Sequence, residues 1–307
     1  MRLVSVPESE REMAARRLLV AGPRHGVDFH NAWAVFGLGG TVRQVCLAVP
    51  GSGRTGMVFM AEPPAGGDPG GAATGLLERR ACLDAAATDL RELKDASGKR
   101  RIMVLQALPE PREGWSTQAC RDAGFIDVGT LTYMRTSTGP AKKYAGVSPT
   151  WPAGISVVSV GALPEPTRDA ILIQALESTY EQTLDCPELC GLRESHDILD
   201  SHRSTGIYDP TMWWVIFEDH APRGTMLLSK IPEQGAVELV YLGLAPSIRG
   251  KGIARQLMEM AMKTASSSRG GELTCAVDQR NVPAVHLYES CGLRAFSQRV
   301  ALVRPLA

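Results

Sequence analysis

The sequence predicts a mixed α/β protein made of two domains built alike. Three observations carry that reading. The chain has 307 residues, and single hydrophobic cores stop growing near roughly 250–300 residues. Apolar runs of strand length and amphipathic runs of helix length both recur along it. The order of those runs in the first half returns in the second, which suggests an internal duplication of roughly 150 residues, near the commonest domain size. The halves match by order and not by residue identity.

The elements follow in order. A short strand is expected near Leu3–Val6, then a helix over Glu8–Val20. Strands follow at Ala32–Phe36, Val42–Val49 and Thr55–Ala61. The loop "EPPAGGDPGGAATG" leads to a helix over Leu76–Leu93, a strand "RIMVLQAL", a short helix ending at "ACRDAGF" and a strand "VGTLTYMR". Residues 136–154 are rich in Gly, Pro, Ser and Thr without a period, which is the composition of a linker. The second half opens with a strand "ISVVSV" and a helix over Glu165–Thr183. The stretch "LDCPELCGLRESHDILDSHRSTG" reads as irregular. Strands "MWWVIFED", "GTMLLSKI" and "AVELVYLGL" come next, then a Gly-containing turn and a helix over Gly252–Ser266. A strand "ELTCAV", a short helix ending at "LYESCGL" and a strand "RAFSQRVALV" close the chain.

Composition narrows the function classes. Lys+Arg and Asp+Glu are equal at 33 each, so nothing points to nucleic acid or an anionic membrane surface. No apolar run approaches the roughly 18 residues of a membrane span, and "MRLVSVPESEREM" lacks the apolar stretch of a signal peptide. Seven cysteines, an odd number, are scattered through apolar contexts. That is the usage of reduced, buried thiols in a cytoplasmic protein.

The segment "LAPSIRGKGIARQL" (244–257) is the most informative. The strand before it stops at Pro246, which cannot donate to a ladder. After it, Ile253, Leu257, Met260, Ala261 and Thr264 recur at helical spacing and predict a buried face. A strand, a loop with Gly250 and Gly252, and a helix start place unpaired N–H groups and a partial positive charge where an anion can approach closely. Arg249 and Lys251 add charge. The Walker pattern fails because Gly252 follows Lys251, and the dinucleotide fingerprint fails because Arg255 stands where it needs glycine. A phosphate site and a mere tight turn remain the two readings of the residues alone.

Arg249-x-x-Gly252-x-Ala254 after an apolar strand resembles the first signature of the GNAT acetyltransferase superfamily. Asn281-x-x-Ala284-x-x-Leu287-Tyr288-Glu289-x-x-Gly292 resembles the second, with Leu293 where phenylalanine is usual. The resemblance covers 154–303 and implies two tandem GNAT-like domains, each a mostly antiparallel mixed sheet flanked by helices. The expected boundaries are 1–140 for a degenerate copy, 141–153 for the linker and 154–307 for the transferase domain. The resemblance also implies acetyl-coenzyme A as co-substrate. Backbone amides of Arg249, Gly250, Lys251, Gly252, Ile253 and Ala254 would hold its pyrophosphate. A splayed strand end at Leu242–Leu244 would pair with the pantetheine arm, and Asn281 and Tyr288 would line the thioester end.

Acetyl transfer to an amine requires a neutral amine and a proton for the departing thiolate. Glu238 is the candidate base. By strand alternation its same-face neighbours are Val240, Leu242 and Leu244, which would raise its pKa, and the resemblance places a base at this offset. The alternative is a carboxylate facing water. Tyr288 is the candidate acid, with a core aromatic as the alternative. His286 is expected on the surface. Cys186, Cys190, His196 and His202 loosely match metal-ligand spacing, but the compact context of a zinc site is missing, and no metal is expected. Asp185, Glu188, Glu194, Asp197 and Asp200 crowd the same segment, which would favour a cationic amine or make an ordinary solvated face.

In the first half, the glycine loop carries no Arg or Lys, and Asp68 stands where an anion would go. "ACRDAGF" (119–125) keeps the end of the second signature without its Tyr and Asn. The expected activity is acetyl-coenzyme A-dependent N-acetylation of a small amine by the second domain. The alternatives are a mycothiol synthase-type step on a cysteinyl pseudodisaccharide and a non-catalytic acyl-coenzyme A sensor.

Overall fold

The computed structural model describes residues 8–64, 66–139, 149–268 and 270–306. The expected strand at Leu3–Val6 and the middle of the expected linker fall outside them. The chain divides into two compact units. One takes the chain up to Val128 together with Arg299 onward, and the other is Gly129–Gln298.

The first unit starts with α1 (Glu8–Ala21), followed by β1 (Ala32–Phe36), β2 (Val42–Gly51) and β3 (Thr55–Met60). α2 (Ala72–Arg91), β4 (Val104–Ala107) and α3 (Gly114–Asp122) follow, and then β5 (Ile126–Ser137) begins. β1, β2 and β3 form an antiparallel meander. β3 and β4 are parallel, with α2 as the crossover. Val104–Ala107 also pairs antiparallel with the end of β11 (Arg294–Pro305), the last strand of the chain. Leu302 and Leu306 are buried in the core that Leu83, Leu90 and Leu105 build. Arg304 donates to Asp84 Oδ1 at 2.7 Å and fastens that last strand to α2.

The second unit contains β6 (Ile155–Ser159), α4 (Arg168–Tyr180), α5 (Ser195–Arg203), β7 (Trp213–Glu218), β8 (Ala221–Ile231) and β9 (Ala236–Leu244). α6 (Ile253–Ser266), β10 (Glu272–Asp278) and α7 (Val282–Ser290) complete it. β6 to β9 are successively antiparallel. β9 and β10 are parallel, with α6 as the crossover. The far side of β10 pairs antiparallel with Leu131–Ser137 of β5. Both units are therefore mostly antiparallel mixed sheets with one parallel pair bridged by a helix.

The units do not follow a cut at 141–153. Hydrogen-bonded pairing decides their limits: the later part of β5 pairs with β10, and the later part of β11 pairs with β4. The strand completing each unit comes from the other half of the sequence.

Three local expectations are corrected. α5 is a helix inside the segment read as irregular. Leu199 is its fully buried anchor, and its acidic faces hid the short apolar period. The expected helix over Glu165–Thr183 is shorter: Glu165–Thr167, with Pro166 in it, forms a tight 3-10 turn, and the helix ends at Tyr180. On α6 the buried face is Ile253, Leu257, Met258, Ala261, Met262 and Ala265, so Met258 and Met262 replace Met260 and Thr264. A face repeating at 3.6 residues advances with the helix turn, and the expected set had drifted to its edge.

Candidate active site

β9 and β10 are hydrogen-bonded over only four residue pairs, from Glu272↔Ala236 to Cys275↔Leu239. Beyond these the strands separate. β9 continues to Leu244 against β8, and β10 continues to Asp278 against β5. A cleft of about 190 Å³ opens in the fork. Leu239 to Leu244 line one wall, and Ala276 and Val277 the other. Thr179 to Asp185, after a gap at Tyr180 and Glu181, reach it from the end of α4, and Asn281, Pro283 and Tyr288 from α7. Backbone N–H and C=O groups of the separated strands are left for a ligand, since buried backbone groups otherwise pair.

A β-bulge makes the fork asymmetric. Leu227 of β8 faces Tyr241, while the next residue, Leu228, faces Leu239, so β9 carries one extra residue, Val240. An extra residue reverses the alternation beyond it. Val237, Leu239, Leu242 and Leu244 consequently pack in the core under α6, whereas Val240 and Tyr241 pack with α4. Leu242 and Leu244 are therefore not on the same face as Glu238, contrary to simple alternation.

The Gly-containing turn sits at the end of β9. Gly252 caps α6 with φ 78° and ψ −2°. Gly250 has φ 74°, and a Cβ added at either glycine would meet nothing within 4 Å. Both need the left-handed region, where glycine carries no Cβ penalty. The first backbone bond of the helix is Gln256 N–H to Gly252 O. Among the described residues, the amides of Gly250 to Arg255 have no backbone acceptor. This is an open anion cradle.

The two cations of the turn are engaged elsewhere. Arg249 donates to Leu244 O (2.8 Å), Gln182 O (3.0 Å), Glu181 O (2.8 Å) and Thr179 O (3.3 Å). It satisfies carbonyls that the end of α4 leaves unpaired and ties that end to the turn. Lys251 Nζ lies 3.0 Å from Glu218 Oε1. The side chain of Ile253 is buried in the core, while Ala254 is half-buried against it.

Of the expected site residues, the cleft brings together Leu242, Leu244, Arg249, Asn281 and Tyr288. Gly250, Lys251, Gly252, Ile253 and Ala254 form the turn beyond its end, and Glu238 stands one residue before its wall begins. Burial pushes the half-buried Glu238 carboxyl above its usual range. Tyr288 is 6% exposed, and burial pushes its phenol well up, so it stays protonated at neutral pH. Asn281 caps α7, its side chain accepting from Ala284 N–H at 3.3 Å.

Sequence reasoning missed two features. Tyr241 and Thr179 share a hydroxyl hydrogen bond of 2.6 Å, and both line the cleft. Burial pushes the Tyr241 phenol up to about 12. The odd spacing of the apolar residues in "ELVYLGL" was the available sign of the bulge. The acidic segment is also resolved into separate roles. Glu188 is bound by Arg280 at 2.7 Å, Asp197 is buried on α5, and Asp185 alone of the five acids lines the cleft. His286 is exposed. No group of three or more metal-ligating side chains comes together among the described residues, and none of their helices is long and apolar enough to cross a membrane.

Residues 176–293 match the acetyltransferase (GNAT) family. A mycothiol acetyltransferase from Beutenbergia cavernae is 28% identical over 88 residues, which is 28% of this chain and 29% of the relative's length. A GCN5-related N-acetyltransferase from Sphaerobacter thermophilus shares the fold over 94% of this chain and 85% of its own, with a TM-score of 0.58 at 18% identity. A conserved protein of unknown function from Staphylococcus epidermidis does so over 91% of this chain and 98% of its own, with a TM-score of 0.51 at 12% identity. The matched segment lies in the second unit and holds the fork, the glycine turn and Tyr288, so this stretch is similar to the acetyltransferase (GNAT) family, and the two solved structures share the fold of the chain.

Proposed function

We propose that the second unit transfers the acetyl group of acetyl-coenzyme A to a small amine. The observation that carries the reading is the fork between β9 and β10, open at one end to the glycine cradle and lined at the other by Tyr288. The cradle suits the pyrophosphate, since free amides and the helix N-terminus both favour anions. The free strand edges suit the amide-bearing pantetheine arm. The cleft, at about 190 Å³, has room for the thioester end of the molecule and not for its nucleotide.

Glu238 takes a proton from the amine through a bridging water, as its place before the cleft wall requires. The amine nitrogen then bonds the acetyl carbon as the carbon–sulfur bond breaks, and the sulfur leaves with the proton of Tyr288. A raised carboxyl pKa makes Glu238 a stronger base, and a raised phenol pKa keeps Tyr288 loaded. A second reading, an acceptor of the mycothiol type, is favoured by the Beutenbergia relative alone.

Thiol release measured with a panel of amines tests the reading. Tyr288→Phe is expected to lower kcat by about 100-fold or more with little change in acetyl-coenzyme A affinity, because only the transition state uses the proton. Glu238 acts as a base only above its raised pKa, so kcat/KM should rise with pH through that value. Glu238→Gln should remove the rise. Wild-type profiles in both variants would refute the two assignments.

A further inference from the structure

We propose that Asp185 is the carboxylate that receives the acceptor's ammonium group, which makes the second unit selective for small cationic amines. The inference rests on the transferase reading and goes further by naming the acceptor's anchor and charge.

Asp185 is the one acidic side chain among the residues lining the cleft, and it shares that lining with Tyr288. Among the described residues the cleft lining holds a single cation, and Arg280, whose charge reaches Asp185 from outside the lining, is taken by Glu188 and Asp278. Its arginine, Arg249, has its guanidinium on four backbone carbonyls. Asp185 lines the cleft and is exposed as a residue, and Asn281, which also lines the cleft, hydrogen-bonds its carboxylate. The neighbouring acids do not share the role: Glu188 is engaged by Arg280, and the buried Asp278 also accepts from Arg280 Nη2 at 2.7 Å.

Asp185 is also held in place. Its Oδ1 accepts from Asp278 N–H at 2.9 Å, and in return Asp278 Oδ2 accepts from Cys186 N–H at 3.1 Å. These reciprocal bonds stitch the segment after α4 to the end of β10, beyond the point where the strands part. A carboxylate fixed this way is preorganised for a charge-assisted hydrogen bond from an ammonium N–H. The protein around the cleft pushes the Asp185 carboxyl up, and an incoming cation would draw it back toward the ionised form.

Asparagine at this position keeps an oxygen for Asp278 N–H and removes only the charge, so it separates anchoring from loop structure. The test measures acetyl transfer to 1-butylamine, 1,4-diaminobutane, glucosamine and glycinamide by wild type, Asp185→Asn and Asp185→Glu, with calorimetry of acetyl-coenzyme A on each. At least one amine is expected to be acetylated. Asp185→Asn should raise its KM by about tenfold or more, leave the acetyl-coenzyme A KM within about twofold, and be partly rescued by Asp185→Glu. Wild type that binds no acetyl-coenzyme A would sink the transferase reading together with this inference. Binding and transfer with an unchanged amine KM in Asp185→Asn would sink the inference alone, as would binding without transfer to any of these amines. Should Asp185→Asn unfold, wild type carries the test. tert-Butylamine is expected to inhibit competitively against the amine and tert-butanol is not. Equal inhibition by both overturns the assignment.

Discussion

Each unit leads a strand through a glycine loop into a crossover helix, and the two loops solve the helix start in opposite ways. Before α6 the turn is open: Gly250 and Gly252 have free space where a side chain would be. Before α2 the same place is filled. A Cβ added at Gly75, in the first turn of α2, would lie 2.1 Å from Asp68 Oδ2. The Asp68 carboxylate is held by Arg79, with Nη1 to Oδ2 at 2.7 Å and Nη2 to Oδ1 at 3.0 Å, and by Gln44 Nε2 at 2.8 Å. Both charged side chains are nearly inaccessible, 1% for Arg79 and 5% for Asp68. The first unit supplies its own anion where the second leaves room for one.

The electrostatics of the first loop are set from outside it. The first loop carries no Arg or Lys, and Asp68 stands where an anion would go. Arg79 reaches back from α2 and neutralises Asp68, so the place an anion would take holds a side-chain carboxylate. Buried polar atoms without a hydrogen-bond partner among the described residues occur in both units, Gln44 Oε1 beside the Arg79–Asp68 pair being one of them. In the first unit the buried Arg79–Asp68 pair is satisfied. Beside the cleft of the second unit, Tyr180 Oη and His202 Nε2 are buried without a hydrogen-bond partner among the described residues, and the His202 ring lies 5.4 Å from that of Tyr241. Unsatisfied polar groups cost stability.

Removing the carboxylate from the filled loop should cost the most stability. Asp68→Ala would leave Arg79 buried without its partner, which typically costs about 3–5 kcal/mol. Denaturant unfolding would measure the loss, and sulfate is expected to recover part of it by taking the vacated place. A loss under about 1 kcal/mol, on the scale of an exposed ion pair, would show that the pair does not fill a buried site.

In the second unit the buried His202 gives a smaller, pH-dependent effect. Burial, with the Arg193 charge adding to it, lowers the His202 pKa to about 4. The unfolded chain therefore takes up this proton at higher pH than the folded one. The stability tied to neutral His202 is present above the ordinary value of about 6.5 and is lost as pH falls toward 4, by up to about 3 kcal/mol. Melting temperatures from pH 7.5 to 4.5 should fall less steeply in His202→Phe than in wild type. Parallel curves would mean that His202 titrates like a surface histidine.

Much of this was legible in the sequence. The strand Ala236–Leu244 and the turn after it were read correctly because alternation, Pro246 and the paired glycines all pointed one way. The bulge at Val240 was not, because alternation assumes an unbroken ladder, and only pairing with β8 reveals the extra residue. The roles of Arg249 and Arg79 were hidden for a related reason. A cation's partner is set by which carbonyls or carboxylates the fold brings near, and those lie 67 to 70 positions away for the carbonyls at the end of α4 and 11 for Asp68. The unit boundaries depend on long-range strand pairing, which the linker's composition does not encode.

If one turn is open and the other filled, the two units differ in how much acetyl-coenzyme A they take, and binding stoichiometry reads that difference. Calorimetry of acetyl-coenzyme A on the intact chain is predicted to show one tight site. Gly252→Asp should abolish that site while the circular dichroism of the folded protein is kept, because it places a side chain and a negative charge in the cradle. Two equivalent tight sites per chain, or a tight site that survives Gly252→Asp, would contradict the account.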